Sequence, residues 1–310
     1  MQQTTDTILM IRPVAFRMNE ETAVNNYFQE DLDIKNAEIN SKAQREFDDF
    51  VNKLRAVGVN VIVEHDDKLM DTPDSIFPNN WVSFHGNGDV AVYPMFAENR
   101  RKERRDEVFI RLEDEGFKIS NIIDYTSAED DGVFLEGTGS LLLDRVNKKA
   151  YCALSPRADE DLFIEFCEDF EYFPVIFTAN QTVEGTRLPI YHTNVMMCLA
   201  ETFAVICLDS IDDNKECKNV IKHLKQDGKE IIAITEDQMH QFAGNMLQLR
   251  GNKDQRYLVM SESAHKSLTE AQINNIEKHC PILSSSLETI ETCGGGSARC
   301  MMAEVFLPKA

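Results

Sequence analysis

The chain has 310 residues, 43% apolar and 27% charged, enough to bury a full core, and it carries no Pro-, Gly- or Ser-rich tract of the kind that stays disordered. Its 53 acidic side chains against 32 basic ones give a formal charge of −21, and such a surface repels phosphate backbones and anionic lipid, arguing against nucleic-acid and membrane partners. The N-terminal MQQTTDTILMIRPV lacks a basic stretch followed by a long apolar one, and no segment approaches the roughly 20 apolar residues that span a bilayer, so a cytoplasmic protein is expected.

In chain order, apolar periodicity predicts a strand over residues 8–16, a helix over 20–56 and a strand over 59–64. A hairpin over 81–93 and a helix over 97–115 follow, then a hairpin over 140–154 and a helix over 157–170. The pattern continues with a hairpin over 195–208, a helix over 209–225, a hairpin over 246–260, a helix over 262–279 and a strand over 301–307. Helices and strands alternate without a linker, so residues 1–310 are expected to form one domain. The acidic helix 20–56 is either a solvated outer face or part of a homodimer surface, and sequence does not decide between them.

Four of the β-rich stretches share one form, a strand, a polar turn and a second strand: WVSFHGNGDVAVYP, SLLLDRVNKKAYCAL, VMMCLAETFAVICL and MLQLRGNKDQRYLVM. A shorter copy, MMAEVFLP, ends the chain. Just ahead of each copy stands one polar residue: Asn80, Glu136, His192, Asn245 and Cys300, at intervals of 56, 56, 53 and 55. Five copies at a period near 55 are the mark of radial or stacked repetition, in which equivalent positions converge on an axis. The plainer alternative is a set of unrelated hairpins whose polar residues merely end strands.

The eight cysteines form no CxxC pair and no Cys/His cluster, so no metal site is expected and most should be buried, reduced thiols. Cys300 is set apart by its surroundings, Thr-Cys-Gly-Gly-Gly-Ser-Ala-Arg-Cys, where consecutive glycines let the backbone approach a ligand. A phosphate cradle is the competing reading, but no Lys-Ser/Thr follows the glycines. Arg299, or a protonated His192, is a candidate to favour the thiolate. A lone His at a strand mouth is more often a satisfied core residue than a catalyst, yet the shared phase of His192 and Cys300 fits Cys/His catalysis, which needs spatial proximity only. Glu136 would then fix the orientation and tautomer of the imidazole; its plain reading is an exposed acid at a turn.

Glu136-Gly137, His192 to Asn194, Gly244-Asn245 and Gly294 to Cys300 together resemble the successive motifs of the guanidine-modifying enzymes, which include arginine deiminases, dimethylarginine hydrolases and amidinotransferases. The resemblance implies an α/β five-bladed propeller (pentein) of ββαβ modules, without metal or organic cofactor. Phe-Pro-Asn-Asn-Trp-Val-Ser-Phe and His-Thr-Asn-Val-Met-Met are similar in particular to the citrulline utilisation hydrolase group. Arginine-using members place carboxylates where this chain has Asn80 and Asn194, and a cationic guanidinium against two neutral amides would lose its charge partners. A neutral ureido group suits amides, which both donate and accept.

The resemblance therefore implies hydrolysis of free L-citrulline to ornithine, ammonia and carbon dioxide. The alternatives are an arginine deiminase, a dimethylarginine hydrolase, or a non-catalytic propeller that binds a partner. It further implies Asp74 on the substrate α-ammonium, Phe77 along the aliphatic stem, and Arg157 and Arg100 on the carboxylate. Arg100 also reads as part of a solvated basic helix face.

Overall fold

The computed structural model describes residues 2–310. Strands β1 (Thr7–Arg12) and β2 (Asn60–His65) form a parallel pair joined through the helix Asn36–Ala56. Then come β3 (Val82–Phe84), β4 (Asp89–Val92) and β5 (Asn121–Asp124), followed by β6 (Leu141–Asp144), β7 (Lys149–Leu154) and β8 (Phe173–Thr178). A separate antiparallel hairpin, β9 (Asn180–Val183) and β10 (Thr186–Pro189), precedes β11 (Met197–Leu199), β12 (Phe203–Ile206) and β13 (Glu230–Ala233). The last strands are β14 (Leu247–Arg250), β15 (Arg256–Ser261), β16 (Ile282–Ser285) and β17 (Ala303–Glu304), which pairs antiparallel with β1.

The fold is mixed α/β, and five of its sheets have three strands in one repeated pattern. In each, an antiparallel pair shares its middle strand with a parallel pair. Antiparallel neighbours can be joined by a tight turn, whereas parallel ones need a crossover of a dozen or more residues. Helices supply it: Glu160–Asp169 between β7 and β8, and Asn214–Gln226 between β12 and β13. Apolar faces of these elements meet in four buried clusters.

Several helices are shorter than their periodicity suggests. Residues 19–35 are turns rather than the start of the long helix, because asparagine side chains take over backbone donors: Asn19 Oδ1 accepts from Glu21 N–H and Asn26 Oδ1 from Phe28 N–H. The helix predicted over 262–279 breaks at Thr269, which opens a fresh helix with a capping box to Gln272. That over 97–115 divides into Glu98–Arg101 and Glu107–Asp114. The outer parallel strands β5, β8, β13 and β16 carry no clean apolar alternation, and sequence periodicity did not reveal them.

The turn that leads into the first strand of each module carries one of the phased polar residues. Asn80 ends the turn Pro78–Asn80, Glu136 stands at the N-cap of Gly137–Ser140, and His192 at that of Thr193–Met196. Asn245 and Cys300 occupy the corresponding turns before β14 and β17.

Candidate active site

Cys300 is 3% exposed and follows the helix Glu288–Gly294 and a glycine loop. Gly295 has φ +60°, and a Cβ on Gly294 or Gly296 would lie 2.8 or 3.0 Å from the Phe77 ring. The glycines thus let the thiol-bearing loop lie against Phe77. The Arg299 guanidinium turns away from the sulfur, donating to Met302 O at 2.8 Å and Glu304 at 3.0 Å, so the expected help from Arg299 is not what the structure has. Amides meet Sγ instead: Asn245 Nδ2 at 3.2 Å and Asn194 Nδ2 at 3.6 Å.

His192 Nε2 lies 2.7 Å from Glu136 Oε2. Glu136 is wholly buried, and burial pushes its pKa up. The Arg157 charge, the His192 hydrogen bond and Arg100 outweigh that and hold it well below the usual carboxylate range. A carboxylate only accepts, so Nε2 must carry the imidazole proton and Nδ1 the lone pair. Nδ1 is buried without a partner. Burial pulls the His192 pKa down to about 4 against the attraction of Glu136, leaving a neutral base at pH 7.

Gly139 makes room for this arrangement, since a Cβ there would lie 2.5 Å from Asn80 Nδ2 and 2.8 Å from His192 Nδ1. Asn80 Oδ1 accepts from Arg100 Nη1 at 2.8 Å. Arg100 is 2% exposed and pairs with both oxygens of Glu103, at 2.9 and 3.0 Å, so it is no part of a solvated helix face. Burial raises Glu103 to about 7 even against the Arg100 charge. Asp74 Oδ2 accepts from Asn19 Nδ2 at 2.8 Å while Oδ1 is buried and unpartnered, and burial raises the Asp74 pKa despite Arg100. Arg157 lies 3.5 Å from Glu136 and donates to Asn25 Oδ1 and Thr22 O.

A narrow, nearly closed cavity of about 10 Å³ lies among these groups, with Asp74, Phe77, Asn80, Arg100, Arg157, His192 and Cys300 in its wall. Glu136 stands behind His192 and Asn194 beside the thiol, so the residues singled out from the sequence, apart from the Arg299 side chain, fall at this one place. Residues 19–29 lie over it: Asn26 lines its wall, and the Asn26 and Gln29 side chains donate to Gly294 O at 3.3 and 3.2 Å.

Residues 12–307 match the family model described as N,N dimethylarginine dimethylhydrolase, eukaryotic. The chain belongs to this family. Its place is thus within the guanidine-modifying pentein superfamily, a superfamily of hydrolases and related enzymes. No curated protein matches the sequence. Among solved structures, that of unliganded ArgZ, an arginine dihydrolase from the ornithine-ammonia cycle in Cyanobacteria, shares 16% identity at a TM-score of 0.73. It covers 98% of this chain and 41% of that one. The chain spans about two fifths of full-length ArgZ, and the match covers 99% of the isolated ArgZ N-terminal domain. AgrE bound to L-arginine shares 17% identity at a TM-score of 0.71, covering 98% of this chain and 40% of that one. A dimethylarginine dimethylaminohydrolase carrying S-methyl-L-thiocitrulline shares 13% at 0.64, covering 97% and 99%. At such identities the likeness is one of fold.

Two features of this candidate site escaped the sequence reading. Asn245 was marked by its phase in the repeat but given no role, though it makes the shorter amide contact with the sulfur. The cover formed by residues 19–29 was hidden under an expected helix; its Asn19, Asn25 and Asn26 were the available signal.

Proposed function

We propose that the chain is a cysteine-dependent hydrolase that acts on the ureido group of free L-citrulline, giving L-ornithine, ammonia and carbon dioxide. The observation that carries this reading is the pair of neutral amides at the reacting end. Arg100 can only donate, so Asn80 must offer it Oδ1, and the Asn80 NH₂ is left on the side of Asn79, Gly139 and His192. Asn194 likewise brings an amide rather than a carboxylate to Cys300. These groups suit a carbonyl oxygen and N–H groups, and supply no anion for a guanidinium.

Charge at the other end supports the same substrate class. Unpartnered Asp74 Oδ1 suits an α-ammonium, Arg157 an α-carboxylate, and Phe77 a methylene stem. A non-catalytic role leaves Asp74 Oδ1 and His192 Nδ1, both buried without a partner and both on residues of the cavity wall, without purpose.

In the reaction, His192 Nδ1 takes the thiol proton and Sγ attacks the ureido carbon. The imidazolium, held by Glu136, returns the proton to the departing nitrogen. Water then cleaves the Cys300 thiocarbamate, with His192 again as base, and the carbamate formed loses carbon dioxide. Whether ammonia or ornithine leaves first, one water is consumed and the products are the same. We further propose that residues 1–310 act as one domain, that the five three-stranded modules stand as blades around the site, and that the protein works in the cytoplasm.

A second reading, arginine or a methylated arginine as substrate, is favoured by the family description and by AgrE bound to L-arginine. An assay of the purified protein on citrulline, arginine and dimethylarginine, scoring ammonia and ornithine, separates the two.

A further inference from the structure

Asn245 is wholly buried and each of its amide hydrogen-bonding groups is engaged. Arg299 N–H donates to Oδ1 at 3.0 Å, which fixes the amide so that the NH₂ faces the other way. That NH₂ donates to Asn194 O at 3.0 Å and to Cys300 Sγ at 3.2 Å. The neighbouring Asn194 offers the sulfur both an Nδ2, at 3.6 Å, and an Oδ1, at 3.8 Å, and so meets thiol and thiolate alike. Asn245 has no acceptor left to offer. A thiol is a weak acceptor and a thiolate a strong one, so a donor held in place favours the ionised sulfur. The Arg299 and Glu136 side chains are bonded elsewhere, which leaves the amides as the polar side chains in hydrogen-bond contact with Sγ among the described residues.

We infer that Asn245 is a catalytic residue, whose side-chain N–H stabilises the thiolate formed when His192 takes the Cys300 proton. The inference rests on the reading of Cys300 as the nucleophile and adds the group that readies it. The Arg299 N–H matters through geometry: by occupying Oδ1 it prevents the amide from turning an acceptor toward sulfur.

Two substitutions separate this role from a structural one. Asn245→Asp keeps the shape and the acceptor for Arg299 N–H but replaces the donor with an anion; Asn245→Ala removes both. The readout is the rate of Cys300 alkylation by iodoacetamide in the whole protein, followed by mass spectrometry of the Cys300 peptide from pH 6 to 10. Alkylation of wild type, together with loss of turnover in Cys300→Ser, tests the nucleophile by itself.

At pH 7 the Asp variant should alkylate at least about tenfold more slowly than wild type, and the gap should close at high pH, where every thiol is ionised. The Ala variant, if folded, should fall between the two. Turnover should drop through kcat, with KM within about threefold, because Asn245 does not line the amino-acid end of the cavity. An Asp variant whose alkylation matches wild type across the pH range overturns the inference, even where Cys300→Ser is inactive.

Discussion

Arg100 Nη1 donates to Asn80 Oδ1 at 2.8 Å, and this one bond decides which way the Asn80 amide faces. Replacement of Asn80 by Asp would crowd Arg100 with a further anion beside Glu103, Asp74 and Glu136 and remove the NH₂ donor from the neighbourhood of His192. The variant should lose about 10²-fold or more in kcat/KM on citrulline, since a site that bonds a polar substrate group is unforgiving when its own partner changes. Steady-state kinetics on the folded variant check this, and retention of wild-type kcat/KM would remove Asn80 from the recognition of the ureido oxygen.

Cys300→Ser should fold and bind substrate while turning over at least about 10³-fold more slowly, because a serine hydroxyl is far less ionised than a thiol near neutral pH. Ammonia release and calorimetric substrate binding measured together make the check. Turnover near that of wild type dismisses the nucleophile.

His192→Ala should remove the base and cost about 10³-fold, whereas Glu136→Gln should hurt less, the imidazole remaining but its tautomer no longer enforced. Equal losses in the two variants, or a near-normal rate in His192→Ala, would contradict the division of labour between them.

The pH dependence follows from the His192 pKa of about 4. The imidazole stays neutral through the mildly acidic range, so the limb of kcat/KM assigned to this base lies near pH 4 rather than near 6.5. Folding is linked to the same group. Its pKa is lower folded than unfolded, so the unfolded chain binds the extra proton between about pH 4 and 6.5, and stability falls as pH drops through that window, by up to about 3 kcal/mol. Glu103, raised to about 7, acts in the opposite direction but is common to wild type and His192→Gln and cancels in the difference between their denaturation curves. The slope of that difference between about pH 5 and 6.5, above the range in which Glu136 titrates, reports the histidine. A difference that stays constant over that range contradicts the buried neutral imidazole.

Much of this site was legible in the sequence, because repetition is read from spacing and needs no knowledge of loop geometry. Asn80, Glu136, His192, Asn245 and Cys300 occupy the same turn of successive modules, and the period near 55 marked all five. What spacing does not carry is direction. Arg299 sits next to the thiol in sequence but spends its guanidinium on Glu304, while Asn245, 55 residues away, touches the sulfur. Residues 19–35 looked helical because apolar and charged residues recur there at helical intervals, and the asparagine side chains that bond the backbone in place of helix leave no periodic trace. The outer strands were hidden for a related reason: β5, Asn-Ile-Ile-Asp, is largely exposed and has no buried face to write into its sequence.

The central claim is selection of a neutral ureido group by Asn80 and Asn194. Its most direct test is the ratio of kcat/KM for citrulline to that for arginine, measured in wild type and in the double variant Asn80→Asp, Asn194→Asp. Wild type should favour citrulline, and the double variant should lose citrulline turnover by about 10⁴-fold, with no requirement that arginine turnover appear. A wild type that prefers arginine, or a double variant that still hydrolyses citrulline, would contradict the amide argument and put the arginine-using reading in its place.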